Sequence, residues 1–223
     1  RNRRINSTTI DTGTSVTEEP PCDMLIAAKG VSPNVGMLEG TDIEKDWGII
    51  TDSQLRTNNE NVYAAGDVAE TFDIATERRS VNALWTCAVQ QGRIAGTNMA
   101  GGNREYDGSV GMNSINFPGV NLISFGVIKP KESEGYQIFT KSQPEAGIYK
   151  KLVLKDNRIK GIIMVNEIDS AGILLSLLSR KTDVSGFSGE LLKPNFNYGK
   201  VIGRSSGDDL HRLWNAGQKR GNA

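Results

Sequence analysis

Histidine and cysteine are nearly missing from this chain: His211, Cys22 and Cys87 are the whole supply in 223 residues. One imidazole and two distant thiols offer neither a ligand cluster for a metal nor a Cys-x-x-Cys redox pair. Sparse thiols of this kind fit a reducing cytoplasm. No apolar run approaches the roughly 20 residues that a membrane-spanning helix needs, so a soluble protein is expected. Charge of neither sign dominates, with 26 basic and 26 acidic residues, which removes the electrostatic case for nucleic acid. The basic ends, Arg1 to Arg4 and Lys219-Arg220, read as solvated. Asn6-Ser7-Thr8 satisfies the glycosylation pattern but is too short a signal to carry weight. Also missing are an initiator Met, a leader segment and any Gly-x-Gly-x-x-Gly loop of the kind that holds a dinucleotide pyrophosphate.

What is present alternates between sheet-like and helical patterns. Residues 5–16 alternate apolar and polar positions around Asp11-Thr12-Gly13, which predicts a hairpin of two short strands. Glu18-Glu19-Pro20-Pro21 then breaks regular structure as a crossing linker. Residues 24–28 and 62–65 read as interior strands and 48–51 as a shorter strand nearby. Residues 82–100 predict a helix with Leu84, Ala88, Gln91 and Ala95 on one face and Val81, Trp85, Val89 and Met99 close by. Ser80 or Asn82 is expected to cap its start, and Gly101-Gly102 to end it.

After Tyr106 the pattern changes to strands over 114–117, 122–127, 136–140, 148–154 and 159–165, with a tight turn at Asp156-Asn157. A second helix over 170–180 is expected to be capped by Asp169 and to bury Ile173, Leu174, Leu177 and Leu178. From Gly203 onward the composition predicts a mobile tail. Strands followed by a helix predict an α+β domain here.

The most informative stretch runs from Leu55 to Asp67 and ends Val62-Tyr63-Ala64-Ala65-Gly66-Asp67. A glycine at a strand end lets another molecule approach the backbone, and the carboxylate after it accepts from hydroxyl donors. This stretch resembles the second flavin fingerprint of the FAD-dependent pyridine nucleotide-disulfide oxidoreductases. The likeness extends upstream over Cys22-Asp23-Met24-Leu25-Ile26-Ala27-Ala28-Lys29-Gly30-Val31-Ser32-Pro33-Asn34 and downstream over Arg79-Ser80-Val81-Asn82-Ala83-Leu84-Trp85-Thr86-Cys87-Ala88-Val89-Gln90-Gln91-Gly92-Arg93, which resembles the helix that runs under the flavin ring. The Leu84-Trp85 pair and Met112-Asn113-Ser114 look most like the NADH oxidase, rubredoxin reductase and nitrite-reductase-like branch. Lys29 departs from the small or hydroxyl residue common before this Gly, so no polar cofactor contact is assigned to it, and Pro33-Asn34 reads as a turn.

The resemblance implies an α/β fold: a partial FAD-binding, Rossmann-like three-layer domain followed by an α+β carboxyl-terminal interface domain. Residues 1–21 would end an NAD(P)H-binding domain, 22–105 form the carboxyl-terminal half of the FAD domain, and 106–223 form the interface domain with its tail. The chain is then expected to be the carboxyl-terminal part of a longer flavoprotein that passes hydride from NAD(P)H to FAD and on to an acceptor. Gly66 and Asp67 would meet the ribityl chain. The amides near Leu84, Trp85 and Thr86, at the positive end of a helix dipole, would face the negative edge of the flavin. Cys87 reads as a buried inert thiol. A small electron-carrier protein and a second copy of the chain are the implied partners. The alternative is a catalytically inert dimerisation module that does not bind FAD by itself.

Overall fold

The computed structural model describes residues 9–11, 17–18, 21–194, 196 and 199. It is a mixed α/β structure that divides into two compact units, Arg1–Ser32 and Pro33–Ala223. In the first unit, β1 (Ile10–Asp11) pairs antiparallel with β2 (Thr17–Glu18), matching Ile10 to Glu18 and Asp11 to Thr17. The hairpin is therefore present, and β2 takes part of the stretch read as linker. Most of its expected turn, residues 12–16, lies outside the described residues, as do Asn6, His211, both basic ends and the tail from Gly203.

Residues 24–28 are not a strand. They have no ladder partner among the described residues, and Met24 and Ile26 stand 75% and 79% exposed. An apolar run makes a buried strand only when neighbouring strands satisfy its backbone on either side, and local composition does not supply them.

In the second unit, β3 (Ile49–Ile50) runs parallel to β4 (Ala69–Asp73), which pairs antiparallel with β5 (Arg78–Ser80). The strand at β3 falls where the sequence put it. Residues 62–65, however, form no strand: Tyr63 makes one isolated bridge to Arg56, and the ladder begins only after Gly66. The true strand, β4, was hidden by its composition. Glu70, Thr71 and Asp73 are buried, and each is held by partners that composition does not reveal. Glu70 Oε2, for example, accepts from the Gly48 amide at 2.9 Å.

Helix α1 (Trp85–Met99) follows, and Gly101 at φ +88 ends it as expected. Its start is three residues later than the sequence suggests, with Leu84 at the cap position, extended and without a side-chain capping bond. Neither Ser80 nor Asn82 caps it, because residues 81–84 stay outside the helix and the Asn82 amide is spent on Asp73 and Ser109. The buried face is also rotated from expectation, to Cys87, Gln91, Ile94, Ala95 and Asn98, while Trp85 is 84% exposed. Leu55, Ile94, Ala95 and Tyr106 make one small core, and Ile49, Ala64 and Ala69 another.

The remaining strands, β6 (Met112–Phe117), β7 (Val120–Gly126), β8 (Gln137–Gln143), β9 (Ile148–Lys155) and β10 (Arg158–Val165), form one antiparallel sheet in the order β6-β7-β10-β9-β8. All five match expected strands to within a few residues. Asp156 and Asn157 both take positive φ, 49° and 56°, as a two-residue hairpin turn with right-handed strand twist requires. Helix α2 (Ala171–Ser179) packs on β10 and buries Leu174, Leu177 and Leu178 against Phe125, Leu152, Ile162 and Met164, with Ile173 at the edge of this core. Its cap position is Ser170, not Asp169, and no side chain caps it. Burying that leucine stripe is what holds so short a helix.

Two contacts tie the sheet to the segment before α1. Glu77, in a left-handed turn at φ +56, pairs with Lys160 at 3.1 Å and Lys181 at 3.2 Å. Asp73 accepts from the Asn82 side chain at 2.8 Å and from the Gly111 amide at 3.3 Å.

Candidate functional site

Gly66 and Asp67 sit in a turn that leads into β4, where the Ala69 amide donates to the Gly66 carbonyl at 3.0 Å. This corrects the expectation that they close a strand. Gly66 takes φ +84, a conformation that other residues rarely adopt, and the only atom near a Cβ built there is Ala88 Cβ at 3.6 Å. Ala88 is the fourth residue of α1. The turn and the helix start, read separately in the sequence, are therefore adjacent in space.

The first-turn amides of α1, those of Trp85, Thr86 and Cys87, have no carbonyl four residues back within the helix. No acidic side chain occupies that turn and no capping side chain meets it. It is a positive dipole end with donors available to an anionic or strongly accepting group. The Leu84 amide does not belong with them, since it donates to the Asn82 carbonyl at 2.8 Å. Cys87 contributes its amide in place of Leu84; its side chain is buried as expected, in no disulfide and beside the Tyr106 hydroxyl.

Two cavities have residues of this stretch in their walls. One, of about 310 Å³, is bounded by Asn82, Ala83 and Leu84 on one side and by Asn113, Ser124 and Phe125 of the large sheet on the other. The second, of about 720 Å³, runs along the outer face of α1 past Trp85, Thr86, Val89, Arg93 and Arg104. Asp67 is exposed and lines neither of them.

Behind the turn lies a buried polar network. Gln91, 1% exposed, accepts from the Gly66 amide at 2.7 Å, and its Nε2 donates to Tyr106 Oη at 3.3 Å and Thr71 Oγ1 at 3.5 Å. Burial pushes the Tyr106 hydroxyl above its ordinary pKa, so it stays protonated and available to the network. The sequence reading placed Gln91 on the helix face with Ala88 and Ala95 without giving it a role. A primary amide in an otherwise apolar stripe was the signal, since a buried amide must find partners.

Among the described residues no group of three or more His, Cys, Asp or Glu side chains could hold a metal ion, and no helix is long and apolar enough to cross a membrane.

Residues 3–92 match the pyridine nucleotide-disulphide oxidoreductase family, and residues 112–182 match the rubredoxin NAD+ reductase C-terminal domain. The chain is 34% identical over 180 residues to the NADH-dependent phenylglyoxylate dehydrogenase subunit epsilon of Aromatoleum evansii, covering 79% of this chain and 41% of that protein. It is 27% identical over 144 residues to the NADH-rubredoxin oxidoreductase of Clostridium acetobutylicum, covering 65% of this chain and 35% of the relative. Among solved structures, an FAD-dependent pyridine nucleotide-disulphide oxidoreductase from Desulfovibrio vulgaris superposes with a TM-score of 0.66 at 26% identity, over 78% of this chain and 47% of the other. The chain thus spans less than half the length of each of these proteins.

Proposed function

The chain belongs to the pyridine nucleotide-disulphide oxidoreductases, and from that premise we propose that it carries part of the FAD site of an NAD(P)H-dependent oxidoreductase. The observation that carries the reading is the packing of the Gly66 turn against Ala88 at the uncapped start of α1. FAD, when bound, supplies the two-electron relay between NAD(P)H and the acceptor. Gly66 offers backbone that a ligand can approach. Asp67 accepts hydrogen bonds from the ribityl hydroxyls, a role that suits an exposed, acceptor-only carboxylate on a rigid turn. The Trp85, Thr86 and Cys87 amides donate toward the electron-rich edge of the flavin ring, where fixed dipoles stabilise negative charge without reorganising. Leu84 contributes wall, not a donor.

In this reading residues 1–21 close an NAD(P)H-binding domain, 22–105 form the carboxyl-terminal half of the FAD domain, and 106–223 form the interface domain. The match of residues 112–182 to rubredoxin reductases supports a small electron-carrier protein as the acceptor. The free thiols Cys22 and Cys87 suit the cytoplasm.

A second reading, an interface module that binds no FAD by itself, is favoured by the apolar side chains of Ile115, Phe117 and Val120, exposed on paired strands β6 and β7. That surface would serve a homodimer. The visible spectrum separates the two: a purified chain with bound, reducible flavin supports the first, and a colourless dimer the second. In the full-length polypeptide, Asp67→Ala is expected to weaken FAD retention about tenfold or more, as loss of charge-assisted hydrogen bonds predicts. Unchanged flavin content would reject the assignment.

A further inference from the structure

We propose that Gln91 is a positioning residue for flavin binding: it acts through the Gly66 turn to aim the Asp67 carboxylate. This rests on the flavin reading above and adds to it a residue with no cofactor contact of its own.

Among the described residues the Asp67 side chain has no hydrogen-bond or ion-pair partner that would orient it. Its direction is therefore set by its backbone. That backbone is held at two places: the Ala69 amide donates to the Gly66 carbonyl at 3.0 Å, and the Gly66 amide donates to Gln91 Oε1 at 2.7 Å. The second bond reaches from the turn to the middle of α1. It links the turn directly to the helix.

Gln91 is itself fixed. Its Nε2 faces Tyr106 Oη and Thr71 Oγ1, and the Gly66 amide, being a pure donor, demands oxygen at the other end of the side chain. The amide therefore has one satisfied orientation. Thr71 lies on β4 and Tyr106 beyond α1, so three separate stretches of chain converge on one buried side chain. Packing alone does not call for glutamine at this position: an apolar residue of the same length would fill the space beside Ala95 and Ile94 without the cost of burying an amide. What it would lose is the acceptor for Gly66. With φ at +84 and little else nearby, that glycine then samples other conformations.

The test uses the full-length polypeptide, stripped of flavin and titrated with FAD by flavin fluorescence. Gln91→Met keeps the volume and removes every hydrogen bond, and is expected to weaken FAD about tenfold or more. Gln91→Glu keeps an acceptor for the Gly66 amide, with the Thr71 and Tyr106 hydroxyls free to turn and donate, and is expected to stay within about threefold of the parent. If Gln91 works through Asp67, the double variant Asp67→Ala, Gln91→Met binds FAD no more weakly than Asp67→Ala alone. Thermal unfolding of the flavin-free proteins reports any loss of folding separately, and Gln91→Leu, which also lacks an acceptor for the Gly66 amide, carries the same expectation if Gln91→Met fails to fold. Parent-like affinity in Gln91→Met, equal losses in Gln91→Glu and Gln91→Met, or fully additive losses in the double variant overturn this assignment alone. Parent-like affinity in Asp67→Ala overturns the flavin reading and this assignment with it.

Discussion

Asp73 and Asn82 are joined by a hydrogen bond of 2.8 Å from the Asn82 side-chain amide to the buried Asp73 carboxylate. The same carboxylate accepts from the Thr76 amide, the Thr76 hydroxyl and the Gly111 amide. Asn82 also donates to Ser109 Oγ at 2.9 Å. This cluster holds the segment that leads into α1 and so fixes where the helix begins.

All four partners of Asp73 are donors, so the site needs a group that only accepts. Asp73→Asn, conservative in shape, would put a side-chain NH2 against other donors. It is expected to cost about 1–3 kcal/mol, as an unsatisfied buried polar group does. Chemical denaturation at neutral pH measures this, and a loss no larger than that of an exposed Asp→Asn change would contradict it.

Lys160 beside Glu77, aided by Lys181, holds the Glu77 carboxyl below its ordinary range. A carboxyl depressed in the folded state contributes stability above its unfolded value and loses it as pH falls through the lower folded value. Thermal unfolding followed from neutral to acid pH should therefore show a decline in the parent that is shallower in Glu77→Gln, with the two curves approaching each other at the acid end. Because the Glu77 side chain is 46% exposed, added salt should shrink the difference. Parallel curves would show that the clamp adds nothing to stability.

Lys150, 2% exposed at its side chain, meets Glu167 Oε2 at 2.8 Å, an ion contact without hydrogen-bond alignment. Lys150 holds the Glu167 carboxyl below its usual range. Removing either partner is not equivalent. Glu167→Leu strands a buried ammonium and is expected to cost about 3–5 kcal/mol. Lys150→Met leaves a carboxylate that is 30% exposed and still 3.6 Å from Lys141, and should cost clearly less. Urea denaturation of the two variants gives the ranking; the reverse order would contradict the burial argument.

Gly161 lies at the bulge where β10 shifts register against β9. A Cβ built there falls 2.0 Å from the Val127 carbonyl oxygen, which is backbone and cannot swing aside. Gly161→Ala is expected to destabilise the domain by about 1–3 kcal/mol or more, the range for overpacked cores. Gly92→Ala in α1, with open space around it and, like Gly161, no positive φ, is the control and is expected not to destabilise.

Much of the large sheet was legible because its information is local. Short apolar runs mark β9 and β10, Asp156-Asn157 tolerates the positive φ between them, and the leucines of α2 repeat at helical spacing. The smaller sheet was not, because β4 carries Glu70, Thr71 and Asp73 inside, and a buried polar strand is recognisable only once its partners are known. Residues 24–28 misled in the opposite sense, reading as a core strand from apolar composition with no ladder to join.

By itself, the order of residues determined the existence of α1, the strands of the large sheet and the hairpin turn at Asp156-Asn157, since each depends on φ preferences and side-chain periods within a few residues. Which amides of α1 remain free, which face it buries and what grips the Gly66 amide were decided only by tertiary structure. Ser109 receives the Asn82 side chain from 27 positions away, and Gln91 reaches a glycine 25 positions away. Hydrogen bonds between distant segments depend on how the chain is brought together in space, and no local pattern encodes that distance.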